Sequence, residues 1–163
     1  MKRLVLATMS VSALFASAVY AAPQSIQISG NVDPVCAVTG LHSSTSLHVG
    51  PVGSGNSGTV NAITVTCNYY SGADVTLTST NQGLKSTDPS SPVILNYTAS
   101  LDMAGDPVTL DTSSATFVTK GYGGGGATAL AAGITSDLSV NVPTGTVFSG
   151  DYTDTLTITI AQQ

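Results

Sequence analysis

The sequence contains no glutamate and no tryptophan, and it has only four lysine and arginine residues among 163. Each shortage removes a class of function. Without glutamate there is no H-E-x-x-H zinc motif, and the two histidines, His42 and His48, are not placed as its pair. His48 lies in an alternating stretch beside Leu47 and Val49 and reads as an outward-facing strand residue. Asp102, Asp106 and Asp111 are close in sequence, yet they lack the EF-hand spacing and its bidentate glutamate. They read as solvated loop carboxylates. G-x-S-x-G is missing and no Ser, His and Asp grouping stands out. The expectation is a chain without a catalytic site, needing no metal and no cofactor and taking no small-molecule substrate.

Cations are scarce in a specific way. Lys2 and Arg3 open the chain, and beyond them only Lys85 and Lys120 oppose nine aspartates, a formal net charge of −7 for that part. Nucleic acid and anionic lipid are therefore poor partners. Charged residues make up 8% of the chain, against about 25% in ordinary soluble domains. Serine, threonine, glycine and asparagine supply the polar surface instead, a composition suited to packing against copies of itself.

What is present begins with an export signal. Lys2-Arg3, the apolar run Leu4 to Ala16 and the small-residue stretch Ser17-Ala18-Val19-Tyr20-Ala21 have the layout of a secretory leader cleaved after Ala21. The run is too short to span a bilayer comfortably. Residues 1–21 are thus assigned to a signal peptide, leaving 142 of the 163 residues for one domain. Cys36 and Cys67 are the only cysteines. Both follow the leader, so an oxidising compartment makes one intramolecular disulfide the natural reading; two buried free thiols are the alternative.

The rest of the chain is patterned for strands. Ile26, Ile28, Gly30 and Val32 alternate with polar residues up to Asp33-Pro34, and Leu47 and Val49 form a short strand. Ile63, Val65, Cys67 and Tyr69 share a face, Val75 and Leu77 follow, and Asn81 to Pro92 reads as a turn-rich loop. Val93, Leu95, Tyr97, Ala99 and Leu101 form one run. Val108 to Leu110, Phe117 to Thr119 and Leu138 to Val142 are further candidates, and Tyr152, Leu156, Ile158 and Ile160 close the chain. Period-two alternation broken by Gly, Pro, Asn and Asp turns predicts an all-β sandwich, with helical periodicity nearly absent. Gly53 to Gly58 and Gly121 to Gly126 are expected as loops. The second matches G-x-G-x-x-G but is read as a hairpin tip, not as a turn between a strand and a helix, and so not as a nucleotide site. Asn96-Tyr97-Thr98 matches the N-glycosylation pattern inside a strand and is given no role.

Four features together resemble spore coat U domain proteins, a family that includes subunits of archaic chaperone-usher pili. They are the leader followed by an alternating segment, Cys36 soon after it, the Ile63-Thr64-Val65-Thr66-Cys67 strand, and the ending Gly150-Asp151-Tyr152-Thr153-Asp154-Thr155-Leu156-Thr157-Ile158-Thr159-Ile160. Leu47-His48-Val49-Gly50 looks like the family's leucine-aromatic-glycine stretch, with Val49 where an aromatic is more usual. Ser25 to Val35 is similar to the start of alternate-class fimbrial subunits. The chain ends Ala161-Gln162-Gln163, without the terminal aromatic of many pilins.

The resemblance implies an incomplete, pilin-type immunoglobulin-like β-sandwich, spanning 36–163 and preceded by a donor-strand segment at 22–35. The missing strand would come from a neighbouring subunit. Ile26, Ile28 and Val32 would enter the neighbour's groove, with Gly30 allowing close backbone approach. Leu156, Ile158 and Ile160 would line the acceptor groove and meet the chaperone. The implied partners are identical or related pilin subunits in a homopolymer, a periplasmic chaperone and an outer-membrane usher, and the implied destination is a pilus at the cell surface, reached through the periplasm. The competing readings are a self-contained sandwich whose first strand is Ile26 to Val32, a secreted adhesin or carbohydrate-binding module, and a spore coat structural protein.

Overall fold

A computed structural model describes residues 24–41 and 56–163. The leader at 1–21, His42, His48, the strand expected around Leu47 to Val49 and the start of the Gly53 loop lie outside the described residues. The chain divides into two compact units, one ending at Val32 and the other running from Asp33 to Gln163. Within the first, residues 24–32 carry no strand.

The second unit is all-β apart from one short helix among the described residues. Its strands are β1 (Cys36–Thr39), β2 (Asn56–Cys67), β3 (Ala73–Ser79), β4 (Leu84–Ser86), β5 (Ile94–Leu95), β6 (Thr98–Leu101), β7 (Val108–Asp111), β8 (Phe117–Tyr122), β9 (Ile134–Val142), β10 (Tyr152–Thr153) and β11 (Leu156–Gln162), with α1 (Gly125–Ala132) between β8 and β9. They form a five-stranded sheet in the order β1-β2-β9-β6-β7, a three-stranded sheet β11-β3-β8 and a small sheet β10-β4-β5. Every pairing is antiparallel.

The two larger sheets share one core, in a sandwich-like arrangement. Ile63, Val65, Ala99, Leu101, Leu110 and Leu138 from the five-stranded sheet join Val75, Leu77 and Ile158 from the three-stranded one. Strict alternation explains this, because every second residue of a strand points to the same face. In β3 the alternation is complete, with Ala73, Val75, Leu77 and Ser79 buried and the residues between them half-buried. β7 and β8 lie side by side at one flank of the sandwich, and β1 and β11 at the other.

Cys36 and Cys67 face each other across the first ladder and form the expected disulfide. It closes a loop of 31 residues' separation, worth about 3 to 4 kcal/mol on the chain-entropy account.

Five expectations about elements need correction. Gly53 to Gly58 is not a loop throughout, since Asn56, Ser57 and Gly58 open β2 and pair with Val142, Asn141 and Val140 of β9. The run from Val93 to Leu101 is two strands, β5 and β6, because the chain leaves the small sheet for the large one at Tyr97. There Thr112 captures both backbone groups: its Oγ1 accepts from Tyr97 N–H at 2.8 Å and donates to Tyr97 C=O at 3.0 Å. The closing run is likewise split, β10 from β11, at Asp154. The turn-rich stretch from Asn81 to Pro92 includes β4. Gly121 to Gly126 is not a hairpin tip: Gly121 and Tyr122 end β8 while Gly125 and Gly126 begin α1, so the motif does lie between a strand and a helix. Four consecutive glycines, poor helix formers, concealed that start. Ala127 and Leu130 anchor the helix in the core, and Gly133, at φ 87°, ends it. The neighbouring cation Lys120 is already engaged by Asp106 and by the Pro107 carbonyl.

Candidate functional site

The leading segment is apolar and uncovered. Ile26, Ile28 and Val32 are 88%, 91% and 82% exposed. A β-branched side chain fully buried is worth about 1.5 to 3 kcal/mol over one left in water, so three such residues on an alternating stretch are an unused source of binding energy. Gly30 continues the alternation in sequence, and a Cβ there would meet nothing within 4 Å among the described residues.

In the second unit, β11 is an edge strand. It pairs with β3 from Leu156 opposite Ser79 to Gln162 opposite Ala73, and among the described residues nothing pairs with its other side. Half of its backbone N–H and C=O groups therefore point away from the sheet, the usual template for a further strand. Leu156, Ile158 and Ile160 share the core-facing side with Leu77 and Val75 of β3. Ile158 is buried, but Leu156 and Ile160 are only half-buried, although their β3 neighbours are fully enclosed. β1 is the edge of the other sheet and shows the same incompleteness at Cys36 and Val38. The apolar cover is thus incomplete along the flank where β1 and β11 lie together. On the opposite, solvent face of β11, Thr157 and Thr159 are exposed and lie level with Thr78 and Thr76.

β11 is held at its start by a polar knot that the sequence reading did not assign. Asp154 accepts from Ser79 Oγ at 2.5 Å, Tyr97 Oη at 2.7 Å, Thr155 N–H at 2.8 Å and Asn81 N–H at 2.9 Å. Tyr97 is buried, and its phenol is pushed well above the ordinary tyrosine range, first by that burial and then by the hydrogen bond to Asp154. The only sequence signal was the aspartate interrupting an otherwise alternating run. At the other end, Gln163 N–H donates to Gly72 C=O at 3.2 Å and Ser71 Oγ to Gln163 C=O at 2.7 Å.

Asp102, Asp106 and Asp111 are all engaged within the chain. Asp102 accepts from Gly105 N–H, Asp106 pairs with Lys120, and Asp111 accepts from Ser113, which holds its carboxyl below the usual range. Among the described residues no cluster of three or more His, Cys, Asp or Glu could hold a metal ion.

Comparison of the sequence with models of known protein families gives no match, and comparison with curated proteins gives none.

Proposed function

We propose that the chain is a structural subunit of a bacterial surface pilus, exported through the periplasm and polymerised by donor-strand exchange through a chaperone and an outer-membrane usher. The fibre would support adhesion or biofilm formation. One observation carries the reading: an alternating apolar segment lies exposed ahead of a sandwich whose own β11 is, among the described residues, an unpaired edge over half-buried core residues. On this reading the body is an immunoglobulin-like sandwich short of one strand. The lone subunit exposes core and backbone groups and needs a chaperone's strand; the leading segment of the next subunit then replaces it, a strand-addition mode of binding.

Ile26, Ile28 and Val32 would cover Leu156, Ile160 and Val38, with Gly30 admitting the backbone closely. Three buried side chains supply roughly 5 to 9 kcal/mol before ordering costs, and ladder hydrogen bonds add to that.

The test is electrophoretic and genetic. Co-expressed in the periplasm with its chaperone and usher, the chain should run in unheated detergent as a ladder that collapses on boiling. A chain lacking residues 22–32 should still be recovered with the chaperone yet never be added beneath another copy. A plain monomer without a ladder would favour a binding module, and loss of folding on deletion would place the segment in the chain's own sandwich.

A further inference from the structure

Only Asp33, Pro34 and Val35 separate the exposed leading segment from β1. They are not a loose tether. Asn68 N–H donates to Val35 C=O at 3.0 Å, Val35 N–H donates to Asn68 Oδ1 at 2.8 Å, and Asn68 Nδ2 donates to Asp33 C=O at 2.8 Å. The register explains why an asparagine is needed. Cys36 opposite Cys67 is the last backbone pair of the β1–β2 ladder. The next pair is Val35 opposite Asn68, and Pro34 has no N–H with which to continue.

Asn68 therefore extends the ladder with its side chain. The amide oxygen takes the Val35 N–H, and the amide nitrogen reaches past the proline to the Asp33 carbonyl. A short side chain carrying both an acceptor and a donor can do both. Pro34 also confines Asp33 to extended backbone, and the disulfide fastens the adjacent Cys36 to Cys67.

Building on the donor-strand reading, we propose that Asn68 is a positioning residue for assembly. It clamps residues 33–35 to the body, so that the donor strand leaves from a fixed root at Val32 and consecutive subunits are joined stiffly. Three free extended residues would span at most about 10 Å, enough for neighbouring subunits to swivel. The clamp removes that freedom without touching the groove. Asn68 thus governs fibre stiffness and not donor affinity.

The experiment compares fibres of the natural chain, Asn68→Ala, Asn68→Asp and a flexible reference with two glycines inserted between Val32 and Asp33. Persistence length is measured by electron microscopy. Asn68→Ala is expected to shorten it roughly two-fold or more, toward the glycine reference, since release from the body turns a constrained spacer into a flexible one. Asn68→Asp, which keeps the acceptor and loses the donor, falls between. The temperature at which the detergent ladder collapses stays unchanged in all of them, a separation that a merely stabilising role would not produce. Unchanged persistence length in Asn68→Ala fibres overturns the clamp while leaving donor-strand assembly intact; a natural chain that forms no ladder overturns assembly itself. Should the variants fail to fold, amide exchange on the natural chain, held unpolymerised on its chaperone, decides the matter. The Val35 amide must exchange more slowly than those of Ile26 and Ile28, and equal rates sink the proposal.

Discussion

At the scale of single residues, the most heavily used group is the Asp154 carboxylate, which gathers four donors from three separate stretches of chain. A hydrogen bond to a charged group is worth about 1.5 to 3 kcal/mol, and an orphaned buried partner costs about as much again. Tyr97→Phe should therefore lower stability by about 1.5 to 3 kcal/mol, and Asp154→Ala by more, because the latter strands Ser79 and Tyr97 together. Urea midpoints with unchanged slopes would show this. The same tyrosine sets an alkaline limit. Its folded-state pKa is raised, so the folded chain holds a proton that the unfolded chain releases near pH 10. The stabilisation is complete below pH 10 and is lost as pH rises beyond it. Tyr122, pushed up to about 12 chiefly by burial and then by the charges of Asp106 and Asp102, acts in the same direction. Stability measured from pH 9 to 11.5 should fall less steeply in Tyr97→Phe than in the natural chain; identical slopes would mean that the Tyr97 phenol is free to ionise when folded.

At the scale of elements, alternation was a dependable guide wherever one strand belongs to one sheet. Ile63-Val65-Cys67, Val75-Leu77 and Leu138-Val142 all fall in strands. It failed where the chain changes sheets without losing its rhythm, at Tyr97 and Asp154, because the side chains keep alternating while the backbone partners switch. It also missed α1, whose opening glycines carry no side chain to reveal a face. The edge position of β11 is invisible to pattern alone, since an edge strand and a central strand alternate alike. That position can be probed by two substitutions on one face. Ile158 is enclosed in the folded unit and Ile160 only half so. Ile158→Ala should cost about 2 to 4 kcal/mol in any state, by loss of burial and a residual cavity. Ile160→Ala should cost the single chain less, and weaken the ladder on heating more than the single-chain loss accounts for. Equal effects of Ile160→Ala on the lone chain and the polymer would mean that no donor strand covers it.

At the scale of the whole molecule, the distribution of apolar surface is lopsided. The body surrounds a continuous core yet leaves one flank half covered, while the leading segment carries three large apolar side chains with almost nothing around them. Neither feature is favourable for a protein that stays alone, and on the donor-strand proposal one copy's segment supplies what another copy's flank lacks. That proposal can be tested outside a fibre. A synthetic peptide of residues 24–34 added to the chain lacking 22–32 should stabilise it by mass action, by about 1.4 kcal/mol for each tenfold rise in peptide once the dissociation constant is exceeded. The same peptide with Ile26→Asp and Ile28→Asp should do nothing, since two charges cannot enter an apolar trough without large desolvation costs. Thermal midpoints against peptide concentration would give the affinity directly. A flat line for the natural peptide would leave the exposed segment without a groove to fill, and the half-covered flank of β11 would then need another occupant.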